Sequence, residues 1–112
     1  MMKYENFNFN GDENDFENLL KKSKDEDIPK ILVSALNNLD NLNWLQNILI
    51  EYTKNEDFWI AKTAINLLSD LARIYGNEIN KEMILKKLKG MERADLKNVI
   101  NETLEDIEIF TN

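Results

Sequence analysis

The sequence predicts an all-α fold in which three antiparallel pairs of helices stack on one another. Apolar residues recur with helical periodicity through three similar segments, and no stretch alternates apolar and polar residues as a half-buried strand would. The length of 112 residues suits one domain, because a helical chain of that size buries about two-thirds of its unfolded surface. We therefore expect residues 1–112 to form a single domain.

Three segments with the same apolar pattern are expected to be the second helix of each pair. They begin at Ile28, Ile60 and Leu96, so the repeat lengths are 32 and 36 residues. In each segment the residues at i, i+4, i+7, i+8 and i+11 form a stripe on one helix face, and Thr103 is the one polar member. Because repeats of about this length are typical of helix-pair solenoids, we predict a short right-handed solenoid of HEAT or armadillo type.

The first helix of each pair is expected to be shorter than the second. The predicted first helices cover residues 16–22, 42–52 and 81–89. Together with the second helices they form pairs over about residues 12–40, 41–76 and 77–112. The predicted core of the second and third pairs consists of Leu45, Ile48, Leu49, Ala64, Leu68, Leu71, Ile100 and Leu104.

Residues with strong preferences for helix ends support these boundaries. Asn41 and Asn80 are suited to cap the N-terminus of a helix. Gly76 and Gly90 follow the last apolar residues of two predicted helices, where a left-handed conformation often ends a helix. Pro29 fits a first helical turn, because the N–H that proline lacks has no partner within the helix there.

Residues 1–11 contain Phe7 and Phe9 among many asparagines and are expected to be a tail or an arm that covers the end of the first pair. This segment has no apolar stretch of signal-peptide length, and no later window approaches the roughly 20 apolar residues of a membrane span. We therefore expect a cytoplasmic protein that does not contact a membrane.

The composition excludes much of familiar enzyme chemistry. The chain has no Cys and no His, which excludes disulfides, thiolate nucleophiles, Cys/His zinc sites and histidine bases. Its three glycines stand alone, so no glycine-rich phosphate loop is present. We expect the chain to be no enzyme and to need no cofactor, metal or small-molecule substrate.

Two groups of carboxylates could be interpreted as a catalytic pair or as a calcium site. Asp70, Glu105 and Asp106 lie on predicted second helices and could meet as a general acid and base. Carboxylates at equivalent places in stacked repeats more often bond a neighbouring helix or an arginine, so we favour a network of Asp70 and Arg73 that joins the second and third pairs.

The second group lies in the stretch 10–15, where oxygen ligands occupy alternate positions as in a calcium-binding loop. An EF-hand loop that begins at Asn10 would need Gly at its sixth position and Glu at its twelfth, where this chain has Asp15 and Lys21. We therefore favour capping of the first helix by Asp12 or Asn14.

The charge of the chain favours a basic partner. There are 14 basic and 21 acidic residues, and the formal net charge of -7 repels phosphate backbones and attracts basic protein surfaces. One basic segment could contact nucleic acid, but it lacks interleaved aromatic residues, and we interpret it as the solvated face of the third pair. The segment consists of Lys81, Lys86, Lys87, Lys89, Arg93 and Lys97.

The two tryptophans are expected to lie in different environments. Trp44 falls within the apolar stripe of a first helix and is expected to pack in the core. Trp59 stands between Phe58 and Ile60, and a helix cannot bury three consecutive side chains on one face. At least one of Phe58 and Trp59 is therefore expected to be partly exposed, as a binding anchor would be.

Four runs of residues match the pattern of one known family. They are Asn43-Trp44-Leu45-Gln46, Asn55-Glu56-Asp57 with Ile60 and Ala64, Asp70-Leu71-Ala72-Arg73-Ile74-Tyr75-Gly76, and Leu104-Glu105-Asp106-Ile107 with Phe110. Over about residues 40–110 the chain resembles small bacterial HEAT-like immunity proteins of contact-dependent growth inhibition and polymorphic toxin systems. It departs from them at Ala61, where the family usually has Arg.

This resemblance implies a protein that binds and neutralises a cognate toxin domain without catalysing a reaction, commonly by blocking the toxin's active site. Nuclease toxins tend to be basic, which agrees with the acidic charge of this chain. A protein-binding adaptor or assembly factor of the same fold remains an alternative, and so does a small nucleic-acid-binding protein. The identity of the adjacent gene product would separate them.

The partner is expected to contact exposed positions of the second helices and the turns before them. Carboxylates would steer a basic partner, and the exposed aromatic residue would be buried on binding. Ser69 is also expected on this exposed face. The predicted partner-binding residues are Asp25, Glu26, Asp27, Glu56, Asp57, Phe58, Trp59, Lys62, Asn66, Asn98, Glu102 and Glu105.

Overall fold

The structure, a computed structural model, describes residues 11–111, and this part of the chain is all-helical with no strand. The prediction of an all-α fold is thereby confirmed. The six α-helices are α1 (Glu13–Lys22), α2 (Ile28–Asn38), α3 (Leu42–Thr53), α4 (Phe58–Tyr75), α5 (Lys81–Lys89) and α6 (Lys97–Phe110). Short 3-10 turns cover Asp25–Asp27, Gly76–Glu78 and Ala94–Leu96. The predicted tail or arm lies, except for Gly11, outside the described residues.

Side-chain caps fix the beginnings of several helices where the sequence predicts them. Asn41 Oδ1 accepts from the Trp44 N–H at 3.1 Å, and Asn80 Oδ1 accepts from the Met83 N–H at 3.3 Å. Asp12 accepts from the Asp15 N–H at 2.9 Å, and Asp15 accepts in return from the Asp12 N–H at 3.1 Å. This reciprocal pair is a capping box, so Asp12 does cap the first helix, which begins at Glu13.

The two predicted helix-ending glycines differ in conformation. Gly76 has φ of +56° and its N–H donates to the Ala72 carbonyl, so the left-handed prediction is correct there. Gly90 has φ of -82°, and the prediction for it is wrong. The chain leaves α5 through a right-handed turn in which the Gly90 N–H donates to the Lys86 carbonyl, so no left-handed residue is needed.

Helix α4 is the centre of the fold. It packs most extensively against α3 and α6, and it also contacts α2. Ala61, Ala64 and Ala72 are completely buried, and their small side chains allow the neighbouring helices to approach closely. A charged side chain at the Ala61 position would lose its hydration.

Helices α4 and α6 run in the same direction, because contacts join them at both ends. Arg93, just before α6, bonds the backbone of Asn55, just before α4. At the other end, a Cβ placed on Gly76 would lie 3.6 Å from the Phe110 carbonyl oxygen. Parallel second helices are what a stack of antiparallel pairs requires. The right-handed sense of the stack stays a prediction.

One hydrophobic core contains side chains from all six helices. Every predicted core residue is buried except Leu104, which is partly buried. Leu104 lies on α6 and lines an open groove beside the end of α5. Trp44 is also only partly buried, and its Nε1–H donates to Glu17 Oε2 at 2.6 Å. No helix between residues 11 and 111 is long and apolar enough to cross a bilayer.

Candidate protein-binding surface

The beginning of α4 brings several of the predicted partner-binding residues together. We call this region the Trp59 surface, and it consists of Glu56, Asp57, Phe58, Trp59 and Lys62. Asp57 caps the helix, since its Oδ1 accepts from the N–H groups of Trp59 and Ile60 at 2.9 and 3.1 Å. The turn before the cap is closed by Asn55 Oδ1, which accepts from the Asp57 N–H at 2.8 Å.

Helix geometry determines which of the three consecutive bulky side chains is exposed. Ile60 points into the core and is completely buried, Phe58 is half-buried, and Trp59 is 64% exposed. The prediction that at least one member of the aromatic pair is exposed is therefore confirmed. Trp59 is a large apolar side chain on the outside of a helix whose opposite face is fully packed.

The exposed indole is held in place by its neighbours. The ring centroids of Phe58 and Trp59 are 5.0 Å apart, with an edge-to-face angle of 84°. The Lys62 ammonium lies 5.3 Å from the Trp59 ring centroid and 5.7 Å from that of Phe58, within the range of cation–π attraction. A side chain that is already oriented loses less conformational entropy when a partner covers it.

Arg93 braces the turn beneath the Trp59 surface. Its Nη1–H donates to the Asn55 carbonyl at 2.5 Å, and its Nη2 and Nε form a paired contact with the Asp95 carboxylate at 3.0 and 3.3 Å. Nη2 also lies 3.5 Å from the Glu56 carbonyl oxygen. The hydrogen bond from Arg93 holds the pKa of Asp95 below its ordinary value. Arg93 therefore braces this turn, in addition to the place on a solvated basic face that the sequence predicts for it.

The two carboxylates of the Trp59 surface differ in whether they already bond another group of the chain. Asp57 is used as the helix cap, whereas the exposed Glu56 side chain has no ion pair with any residue in 11–111. Glu56 is therefore the carboxylate beside Trp59 that can meet an incoming cation. Asp25, Glu26 and Asp27 form a separate acidic 3-10 turn before α2, where Asp27 pairs with Lys30 at 3.0 Å.

The remaining predicted contact residues follow the exposed faces of two helices. Asn66 is exposed on α4, about two turns beyond Trp59. Asn98, Glu102 and Glu105 are exposed on α6, the parallel neighbour of α4. The prediction that Ser69 is exposed is wrong, because α4 has helices on several sides and its buried face is wider than one stripe.

The predicted network between the second and third pairs has a different form from the one expected. Asp70 pairs with Arg73 within α4 itself, on a face that is largely open to solvent. Contacts that do join the pairs are the Arg93 bond to Asn55 and the bond from the Asn80 N–H to Gln46 Oε1 at 2.9 Å. In the described chain no three acidic side chains are grouped closely enough to hold a metal ion.

Other exposed apolar side chains lie at the far ends of α4 and α6. Ile74, Ile109 and Phe110 are 60%, 64% and 38% exposed. Ile74 and Ile109 both fall outside the predicted core stripes, which agrees with their exposure. Trp59 and Ile74 thus occupy opposite ends of the same helix with similar exposure.

Comparison of the chain with protein-family models, with curated proteins and with solved structures finds no match. The surface around Trp59 is therefore the main observation that bears on function. It offers an oriented aromatic side chain beside an acidic turn on a rigid helix.

Proposed function

We propose that this chain is an immunity protein that binds and neutralises a basic toxin domain, with the Trp59 surface at the centre of the contact. The observation that carries the proposal is the 64% exposure of an indole held between Phe58 and Lys62 beside an acidic turn. Tryptophan is enriched among the few residues that dominate the energy of protein interfaces.

The charge distribution supports a basic partner. Residues 81–97 hold 6 of the 14 basic and 3 of the 21 acidic residues, so the rest of the chain has a formal charge of -10. A field of this sign accelerates the encounter with a basic protein and slows the approach of nucleic acid. Glu56, Glu102 and Glu105 are exposed carboxylates at predicted contact positions.

The nature of the partner as a toxin comes from the resemblance in residues 40–110. An immunity protein neutralises its toxin by occupying a functional surface, which requires tight binding and no reaction. A rigid helix face with one aromatic anchor and a polar border has the organisation of such an interface. A general adaptor would use the same surface but would not protect cells from a toxin.

The test is binding to the product of the adjacent gene, measured together with growth of cells that express that product. Trp59→Ala should weaken binding by about 30-fold or more, equivalent to about 2 kcal/mol, and should reduce protection. Ile74→Ala is the matched control, because Ile74 is an equally exposed apolar residue on the same helix. It should change affinity by less than about threefold.

Three results would contradict parts of this proposal. Absence of binding between the purified proteins at low salt would refute the immunity assignment. Binding without protection of growth would support the adaptor alternative. Equal effects of Trp59→Ala and Ile74→Ala would show that the contact is not centred on the Trp59 surface.

A further inference from the structure

A second surface, opposite in charge to the first, lies at the end of the helix stack. A groove of about 500 Å³ opens between the end of α5, the following loop and the outer side of α6. Its floor is apolar and consists of Leu88, Met91, Ile100 and Leu104. We call this the end groove.

The floor of the end groove is partly open. Leu88 and Ile100 are buried, whereas Met91 and Leu104 are only partly buried. Leu104 continues the stripe of Leu96 and Ile100 along α6, but it is only partly buried. The groove therefore has the character of an interhelical contact that lacks one side.

Lysines border the groove. Lys89 and Lys97 line it, and Glu92 is the one acidic residue among its lining residues. A second depression of about 780 Å³ shares Met91 with it. Lys54, Lys86 and Lys87 line this depression together with Met83 and one carboxylate, Glu82. None of these five lysines forms an ion pair with a residue in 11–111. The end groove thus combines an apolar floor with a positive border on an otherwise acidic chain.

We propose that the end groove binds an acidic amphipathic segment of a partner protein. Apolar side chains of the segment would cover Leu104 and Met91, and its carboxylates would meet Lys89 and Lys97. Partly exposed methionines can adjust to different side chains, which suits a groove that receives a separate segment. This inference does not depend on the identity of the partner of the Trp59 surface.

The chemistry of the groove favours a peptide over nucleic acid or a second copy of the chain. No aromatic ring lines either depression, so bases would have no surface on which to stack. A phosphate backbone would leave Leu104 and Met91 uncovered and would face a chain of net charge -7. A second copy would bring an overall charge of the same sign, which opposes self-association.

The experiment uses a labelled synthetic helical peptide with leucines along one face and glutamates elsewhere, and measures its binding to the full chain by fluorescence anisotropy. Two control peptides replace the glutamates by lysines or scramble the leucine positions. The acidic amphipathic peptide should bind at least about tenfold more tightly than either control, and more weakly as salt rises. Lys89→Glu with Lys97→Glu should weaken its binding by about tenfold or more.

Matched variants test whether the peptide binds at the end groove. Lys21→Glu with Lys22→Glu makes the same charge change on the exposed end of α1 and should leave the affinity within about threefold. Leu104→Glu should also weaken binding, with its fold verified by circular dichroism. Three results would overturn the proposal: equal binding of all peptides, tighter binding of a single-stranded oligonucleotide than of the acidic peptide, or a dimer that Leu104→Glu dissociates.

Discussion

Arg93 donates a hydrogen bond from Nη1 to the backbone carbonyl of Asn55, at a distance of 2.5 Å, and so joins the turn before α6 to the turn before α4. The same guanidinium is held by Asp95 and is 23% exposed. This one side chain supports the turn that ends at Asp57, just before Trp59 in α4. The third helix pair therefore contributes to the candidate surface on the second.

Removal of Arg93 should cost more stability than removal of the other arginine. Arg93→Ala should lower the free energy of unfolding by about 1.5–3 kcal/mol, because it removes charge-assisted hydrogen bonds to a partly buried turn. Arg73→Ala is the control and should cost less than about 1 kcal/mol, since Arg73 forms an ion pair on an exposed helix face. Urea unfolding measures both, and equal losses would contradict the bracing role.

Alanine substitution should distinguish the two helix-ending glycines. Gly76→Ala should destabilise the chain by about 1–2 kcal/mol, because a side chain there is placed in the left-handed region. Gly90→Ala should be neutral or stabilising by up to about 1 kcal/mol, because Gly90 has an ordinary φ and a Cβ would lie 3.4 Å from the Lys86 carbonyl oxygen. Thermal unfolding of the two variants would show the opposite order if the conformations were misassigned.

Truncation in the core should depend on how completely a leucine is enclosed. Leu68→Ala or Leu71→Ala should cost about 2–5 kcal/mol, since both side chains are completely buried in α4. Leu104→Ala should cost clearly less, because Leu104 borders the end groove and solvent can fill the space. Chemical unfolding at equilibrium compares the three, and a Leu104→Ala loss equal to the others would mean that the groove is closed.

Glu56 should influence the rate at which a basic partner arrives. Glu56→Lys should mainly lower the association rate and its dependence on salt, because Glu56 is an exposed charge that makes no ion pair in the described chain. The matching change at Asp57 is unsuitable, since it removes the cap of α4 and should cost about 1 kcal/mol of stability. Stopped-flow or biosensor kinetics measures the effect, and Glu51→Lys provides an exposed control outside the Trp59 surface. A change confined to the dissociation rate would argue against steering by Glu56.

The ionisation of Tyr52 should occur above its ordinary range. Burial raises the pKa of Tyr52 above 10.0, and the negative charges of Glu51 and Glu17 raise it further. Because the pKa of Tyr52 is higher in the folded state, the neutral hydroxyl contributes its full share to the free energy of unfolding below the unfolded-state pKa. This contribution is lost as the pH rises through the folded-state pKa. An ultraviolet difference titration of the wild type against Tyr52→Phe should show a midpoint above 10.0. A midpoint at or below that value would contradict the placement of Tyr52 near the two carboxylates.

Local signals in the sequence predicted much of this fold. The caps at Asn41 and Asn80 depend on side chains that bond a backbone group three residues away, so short-range chemistry suffices to predict them. The exposure of Trp59 likewise follows from three adjacent bulky residues and the geometry of one helix.

Other features depend on which helices become neighbours. Ser69 is buried because α4 has helices on several sides, and Leu104 is partly open because it borders the end groove. The bond between Arg93 and Asn55 spans 38 residues, and no local pattern indicates it. The end groove was missed for the same reason, since an uncovered face becomes visible only when the packing of the preceding helices is known.

Because the two tryptophans have different surroundings, the intrinsic fluorescence of the chain can report on binding. The Trp44 indole is half-buried and bonded to Glu17, whereas the Trp59 indole is mostly in water. The fluorescence emission of Trp59 should accordingly lie at longer wavelengths and be quenched by iodide. In the Trp44→Phe variant, Trp59 is the only remaining tryptophan, so all tryptophan emission comes from it. A protein that covers the beginning of α4 would shift this emission to the blue and shield it from iodide. One unlabelled sample can therefore report occupation of the Trp59 surface.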